Sequence, residues 1–315
     1  MKLSLMVQVY NGGDYWRECW ESVAGNADLF DQIYVSIGKS ANQDADVELI
    51  RNFDSGKLHW IAQDRDMTSV EHGKRLDRWV GSFHPEGLIF ILCHDDILLR
   101  EGLLELKKQE LTEHDAVFGS FHFFTQDGSS REMSVREFYR DNDPLSRKEF
   151  IFLQDQYSFT YNISGMVLPA EIYRKGMSPW HLLSYGCRSE LCHLCCPQIR
   201  KIHQTFEPTV KIRRHAGSEG SRMPEAALQY DTLVYLLLAF SSCDADQKLR
   251  SHLSRSLGYV ILKSPMRGLW YFFLLQFRLM KVDFYYPGAL KIYGYLLAII
   301  GQKLKNLLKR LTGIR

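Results

Sequence analysis

Residues 87–93, GLIFILC, are apolar apart from a terminal thiol, and they run directly into His94-Asp95-Asp96. A strand of that composition has both faces in a core. The same sequence of events occurs three times earlier. KLSLMVQVY (2–10) ends at Tyr10-Asn11-Gly12-Gly13, DQIYVSIG (31–38) at Gly38-Lys39-Ser40, and KLHWIAQD (57–64) at Asp64-Arg65-Asp66. Helical segments lie between these strands. GGDYWRECWESVAG has Asp14 as a candidate N-cap, and SVEHGKRLDRWVGSF (69–83) places Val70, Leu76, Trp79, Val80 and Phe83 near helical spacing. A charged amphipathic helix, REGLLELKKQEL, and a further strand, AVFGSFHFF (116–124), follow. Repeated βα units predict an α/β fold, an open and mostly parallel central sheet flanked by helices. In such sheets ligands bind beyond the carboxyl ends of the strands, so the four polar strand ends define one crevice.

The remainder is less regular. Residues 126–162 are polar and interrupted by Gly, Asp and Pro, and read as a connection. ISGMVLPAEIYRKG and RSELCHLCCPQIRKI read as a strand or turn followed by helices, and FEPTVKIRRHAGS (206–218) as a strand entering a loop. From Pro224 onward the pattern is helical, which predicts a catalytic domain over 1–222 and a helical C-terminal extension over 223–315. Four of the seven cysteines lie in CRSELCHLCC (187–196). Structural zinc sites join two separated ligand pairs, so this spacing predicts buried free thiols in a reducing compartment.

A net charge of +2 gives no global attraction for nucleic acid. The last fifteen residues, GQKLKNLLKRLTGIR, carry five Lys or Arg and no acid, with Leu304, Leu307, Leu308, Leu311 and Ile314 on one helical face. Two readings stay open: a basic amphipathic helix on an anionic membrane surface, or a helix packed on its own domain. Without a secretory signal or an 18-residue apolar span, the expectation is a cytoplasmic protein, peripheral on the inner face of the cell membrane.

Asp95-Asp96 could begin a helix, where acids suit the dipole. At the end of a wholly apolar strand they also suit Mg²⁺ or Mn²⁺, ions that complete their shells with water and substrate phosphates. Neither GxGxxG nor GxxxxGK[ST] is present, which disfavours hydride transfer and P-loop chemistry.

VQVYNGGDYWRECWESV resembles the opening of family 2 glycosyltransferases, which have the A-type nucleotide-sugar fold. FILCHDDILLREGLLEL resembles their metal-binding segment, usually Leu-Asp-x-Asp-Asp, and VKIRRHAGSEGS their later segment with Arg, His and Ser. The resemblance covers 1–125 well and 160–220 loosely. It implies a metal-dependent, inverting transfer from a nucleotide-diphosphate sugar donor to a glycan acceptor. That acceptor would be a polyprenyl-diphosphate-linked intermediate of O-antigen or capsule. It implies donor contacts from Tyr10, Asn11, Ser36, Asp64, Lys74, Asp95, Asp96 and Arg214. The metal would be held by Asp95, Asp96 and His215, and Glu190 would be the base that takes the acceptor proton.

Three segments depart from the family pattern. Ser36 and Ile37 stand where an Asp pair is common, Cys93 replaces the first Asp of the metal segment, and GCRSEL is the nearest counterpart of a Glu-Asp pair. His215 also reads as a structural hydrogen-bonder, and Glu190 as a surface residue. A degenerate, non-catalytic binding module and a nucleotidyltransferase are the alternatives.

Overall fold

The structure is a computed structural model. It describes residues 1–53, 55–125, 130–133, 143–157, 162–215, 224–241, 247–263, 267–268, 270–271 and 274–275. The C-terminal segment 301–315, with its two open readings, lies outside these residues. Among those described, no helix is long and apolar enough to cross a membrane.

The chain forms two compact units, Met1–His181 with Ser189–Met223, and Leu182–Arg188 with Pro224–Arg315. The first begins β1 (Leu3–Val9), α1 (Gly13–Gly25), β2 (Ile33–Ile37), α2 (Gln43–Arg51), β3 (Leu58–Ala62), α3 (Ser69–Ser82) and β4 (Leu88–Cys93). It continues through β5 (Ile97–Leu98), α4 (Arg100–Lys108), β6 (Asp115–Thr125), β7 (Ser130–Met133), β8 (Leu145–Ser146) and α5 (Arg147–Tyr157). It closes with β9 (Val167–Pro169), α6 (Ala170–Arg174), α7 (Ser189–Leu194) and β10 (Lys201–Arg214).

The sheet order is β3-β2-β1-β4-β9-β6-β10-β5, with β7 on β6 and β8 on β10. The first four strands are parallel, as are β6 and β10. The sheet is nevertheless mixed. Strand β9 lies antiparallel between β4 and β6, and β5, β7 and β8 also pair antiparallel. Three residues that arrive late in the chain fill the edge of β4, a pairing that no local pattern announces. Leu3, Leu5, Val7 and Val9 of β1 pack with Ile33, Val35 and Ile37 of β2 and with Leu88, Phe90 and Leu92 of β4. Each such side chain contributes roughly 1.5–3 kcal/mol on burial, which fixes these strand ends as a rigid platform.

Helix α5 falls within the stretch read as a connection. It is nucleated by a capping box: Ser146 N–H donates to Glu149 Oε2 at 2.8 Å, and Glu149 N–H donates to Ser146 Oγ at 3.3 Å. Phe150 and Ile151 then turn fully into the core.

In the second unit, α8 (Glu225–Ser241) packs on α9 (Gln247–Lys263). The fully buried Asp231 accepts bonds from Ser184 N–H and Oγ–H and from the N–H groups of Tyr185 and Gly186, at 2.7–3.2 Å. One carboxylate thus binds the excursion 182–188 to α8, which the expected division at 222/223 does not anticipate.

Candidate functional site

Strand β1 has β2 on one side and β4 on the other, so the chain reverses its winding between β1 and β4. That switch point is where an open α/β sheet forms a crevice. Gln8 pairs with Cys93, so the turn after β1 and the turn after β4 leave the sheet side by side.

The turn after β1 is built by a distant residue. Asn11 and Gly13 both have positive φ, and the N–H groups of Gly12 and Gly13 donate to the buried Asp46 carboxylate at 3.0 Å each. Trp16 Nε1–H donates to the Asp46 carbonyl at 3.1 Å. Asp14 was expected to cap α1. It lies inside the first turn instead, and no side chain of the local sequence caps the helix. Asp46, from α2, satisfies the N–H groups at the start of α1 across more than thirty residues. Tyr10 remains 42% exposed, with its hydroxyl donating to Asp66 Oδ1 at 3.1 Å. Gly38 makes room for the ring: a Cβ there would stand 2.9 Å from Tyr10 Cδ2 and 3.2 Å from the Val9 oxygen.

Ser36 is 0% exposed, and its hydroxyl is held at 2.8 Å by both His72 Nε2 and Gln63 Nε2. It orients those two side chains and does not reach the crevice surface. Burial lowers the His72 pKa to about 4, so the ring is neutral at physiological pH. Asp64 is exposed and paired to Arg75 at 2.9 Å, while Lys74 is half-buried on α3.

The end of β4 carries the densest chemistry. One donor atom each from Cys93, Asp95 and Asp96 lie within 4.8 Å of one another, and this is the only such group among the described residues. Cys93 N–H donates to Ser164 Oγ at 3.1 Å. Asp96 is 3% exposed and accepts the Arg213 backbone N–H at 2.9 Å. Burial, and after it the neighbouring Asp95, push the Asp96 carboxyl well above the usual carboxylate range. His215 Nε2 stands 3.0 Å from Asp95 Oδ2. The structure therefore brings Asp95, Asp96 and His215 together with Cys93.

Arg213, not Arg214, reaches this cluster. Its Nε–H donates to the Asp95 carbonyl at 3.1 Å, it pairs with Glu18, and its guanidinium lies 4.5 Å from the ring centres of Tyr15 and Phe124. Arg214 is exposed, with its guanidinium over Phe123 at 3.7 Å. Alternation along a strand allows only one of two neighbouring residues to face inward, and register with β6 decided which. Glu190 sits half-buried in the first turn of α7, accepting from Ser189 Oγ–H at 3.5 Å. Among the described residues the cysteine-rich stretch forms no metal-ligating cluster. Its thiols are buried, and both ring nitrogens of His193 are occupied, Nδ1 by the Ser189 carbonyl at 2.7 Å and Nε2 by Ser178 Oγ at 3.3 Å.

No family model matches the chain, and no curated protein matches it. Among solved structures, residues 1–349 of S. aureus TarS in complex with UDP-GlcNAc superpose with a TM-score of 0.57 at 14% identity, covering 95% of this chain and 81% of that one. The same protein in complex with UDP gives 0.50 at 13% identity, over 83% and 71%. A further structure of S. aureus TarS gives 0.51 at 14% identity, over 83% of this chain and 43% of that one. At such identity the likeness is one of fold, and the fold is that of the A-type glycosyltransferases.

Proposed function

We propose that this chain is a glycosyltransferase that moves a sugar from a nucleotide-diphosphate donor to a glycan acceptor. The observation that carries the reading is the Cys93–Asp95–Asp96 donor set, which stands at the switch point of an A-type fold. The donor set suits a divalent cation. A desolvated carboxyl beside a second carboxylate gains most from a nearby positive charge. Asp95 and Asp96 would hold the metal with His215 beside them. Such an ion neutralises a diphosphate leaving group.

The chain's own residues supply the rest. The exposed Tyr10 ring, given space by Gly38, offers a flat face to a base. Lys74 offers charge for phosphate, and Asn11 and Asp64 offer polar groups at neighbouring strand ends. Glu190 takes the proton of the acceptor hydroxyl, and direct displacement inverts the anomeric centre. We place the acceptor on a polyprenyl diphosphate, as an O-antigen or capsule intermediate. The basic amphipathic pattern of 301–315 supports this, since it suits an anionic membrane surface.

The test is a screen of nucleotide sugars with Mn²⁺, uridine donors first, read as released nucleoside diphosphate. Asp95→Ala and EDTA should each abolish release, the second reversibly; full activity in EDTA removes the metal from the mechanism. Glu190→Gln should keep donor binding and lower turnover by about two to four orders of magnitude, the scale of a positioned base. A loss below about tenfold places the base elsewhere. Cys93 and the buried Ser36 favour a second reading, a binding module without turnover. Donor binding by calorimetry with no nucleotide released from any sugar would select it.

A further inference from the structure

The geometry points to Cys93 as a direct metal ligand, which makes this a mixed thiolate–carboxylate centre that selects thiophilic divalent cations over Mg²⁺. The inference rests on the reading of the β4 end as a metal site and deepens it.

Three observations support it. Two donors on one ion are separated by at most the sum of their bond lengths, about 4–4.6 Å for the ions concerned. A sulfur and two carboxylate oxygens spread over no more than 4.8 Å therefore need only a small closing movement. The Cys93 backbone is also pinned. Its N–H is bound to Ser164 Oγ, its carbonyl accepts from Cys19 Sγ at 3.7 Å, and its position in the β1–β4 ladder is opposite Gln8. Finally, Cys93 is partly exposed, whereas Cys19, Cys187, Cys192, Cys195 and Cys196 are buried. Among the described thiols, it is the one open to an ion from solvent.

The chemistry follows from ligand softness. Thiolate is a poor partner for Mg²⁺, which keeps oxygen ligands and its own water, and a good one for Co²⁺, Zn²⁺ or Cd²⁺. On binding, the S–H bond breaks, a sulfur–metal bond forms and the proton passes to the buffer, with no change of oxidation state.

The experiment titrates the full chain with Cd²⁺ and with Mg²⁺, following near-ultraviolet absorbance and calorimetry. Cd²⁺ should produce a thiolate-to-metal charge-transfer band. Cys93→Ser should remove that band and weaken Cd²⁺ binding by about 10-fold or more, leaving Mg²⁺ binding within about twofold. In the wild-type chain, Cd²⁺ but not Mg²⁺ should slow alkylation of Cys93, read by mass spectrometry of its peptide. This second measurement keeps the test open if the variant fails to fold. Cd²⁺ binding without a band, or unchanged alkylation, overturns the inference in favour of an oxygen-only site, and a band that survives in Cys93→Ser overturns it by assigning the thiolate to another cysteine. Nucleotide-sugar turnover in Mg²⁺ by a chain with no thiolate band would refute this inference alone. A thiolate band with no turnover on any nucleotide sugar would refute the enzymatic reading alone.

Discussion

Two buried carboxyl groups in the first unit, Asp96 and Asp77, are lifted above the ordinary range by the same first cause, burial, but among different neighbours. Asp96, 3% exposed, stands at a strand end beside Asp95, accepts the Arg213 N–H, and has the Arg213 guanidinium close by. Asp77, 2% exposed, lies on α3, where the helix comes so close to α6 that a Cβ on Gly81 would stand 2.6 Å from the Tyr173 oxygen. Ser178 stands near enough to favour ionisation, yet neither Asp77 oxygen has a hydrogen bond of normal geometry. Burial raises the Asp77 pKa to about 7. The neighbouring Tyr173 hydroxyl is buried without a partner, and its pKa is pushed far up, by burial first and by Asp77 second. Burial alone thus makes a protonated acid. Burial together with a second carboxylate, an oriented N–H and a nearby guanidinium makes the donor set proposed above for a metal.

The largest expected effect tests the sealed half of that comparison. An unfolded carboxyl ionises near 3.8, and Asp77 keeps its proton to about 7. Between those values the native state binds the extra proton, so stability falls as pH rises, by about 4 kcal/mol in total. Asp77→Asn should remove that slope. Its urea midpoint should exceed the wild type's at pH 8 by the equivalent of about 4 kcal/mol, with little difference at pH 4. An unchanged slope would show that Asp77 has a counter-charge, and the contrast would collapse.

Arg213→Ala tests the wired half. It removes the partner of Glu18, the donor to the Asp95 carbonyl and the contacts with two aromatic rings. Glu18 is half exposed, so the cost sits at the low end of broken buried pairs, about 3 kcal/mol by chemical denaturation. A loss within about 0.5 kcal/mol would class Arg213 with ordinary surface residues.

The smallest effect sharpens the distinction. A divalent cation at about 100 times its dissociation constant should stabilise the wild type by about 2.7 kcal/mol, and Asp95→Ala not at all. In thermal melts the Asp77 pH slope should be the same with and without the ion, because nothing opens that site. A slope that disappears when metal is added would mean the two clusters communicate.

Much of the first half of the fold was legible because its signals are local. Continuous apolar runs marked β1, β2 and β4, and their polar ends marked the crevice, including Asp95 and Asp96. Capping boxes at Thr68–Glu71 and Ser146–Glu149 were equally local. The second is written in Ser-Arg-Lys-Glu, yet the polar stretch around it read as connection. Local patterns did not reveal that β9 would enter between β4 and β6, or that Asp46 would cap α1. Both join residues far apart in the chain, and their cost and gain appear only when distant segments meet.

The sequence by itself determined that strands end together at polar residues, because apolar periodicity fixes where a strand is buried and where it must stop. It determined that two carboxylates and a cysteine stand at one of those ends. Tertiary structure alone decided what surrounds them: that Arg213 faces inward and Arg214 outward, that Ser36 is sealed beneath His72 and Gln63, and that Ser164 holds Cys93. The physical reason is that desolvation and hydrogen bonding depend on three-dimensional neighbours. The same carboxyl group becomes a proton store at Asp77 and a candidate ligand at Asp96 according to what packing sets beside it.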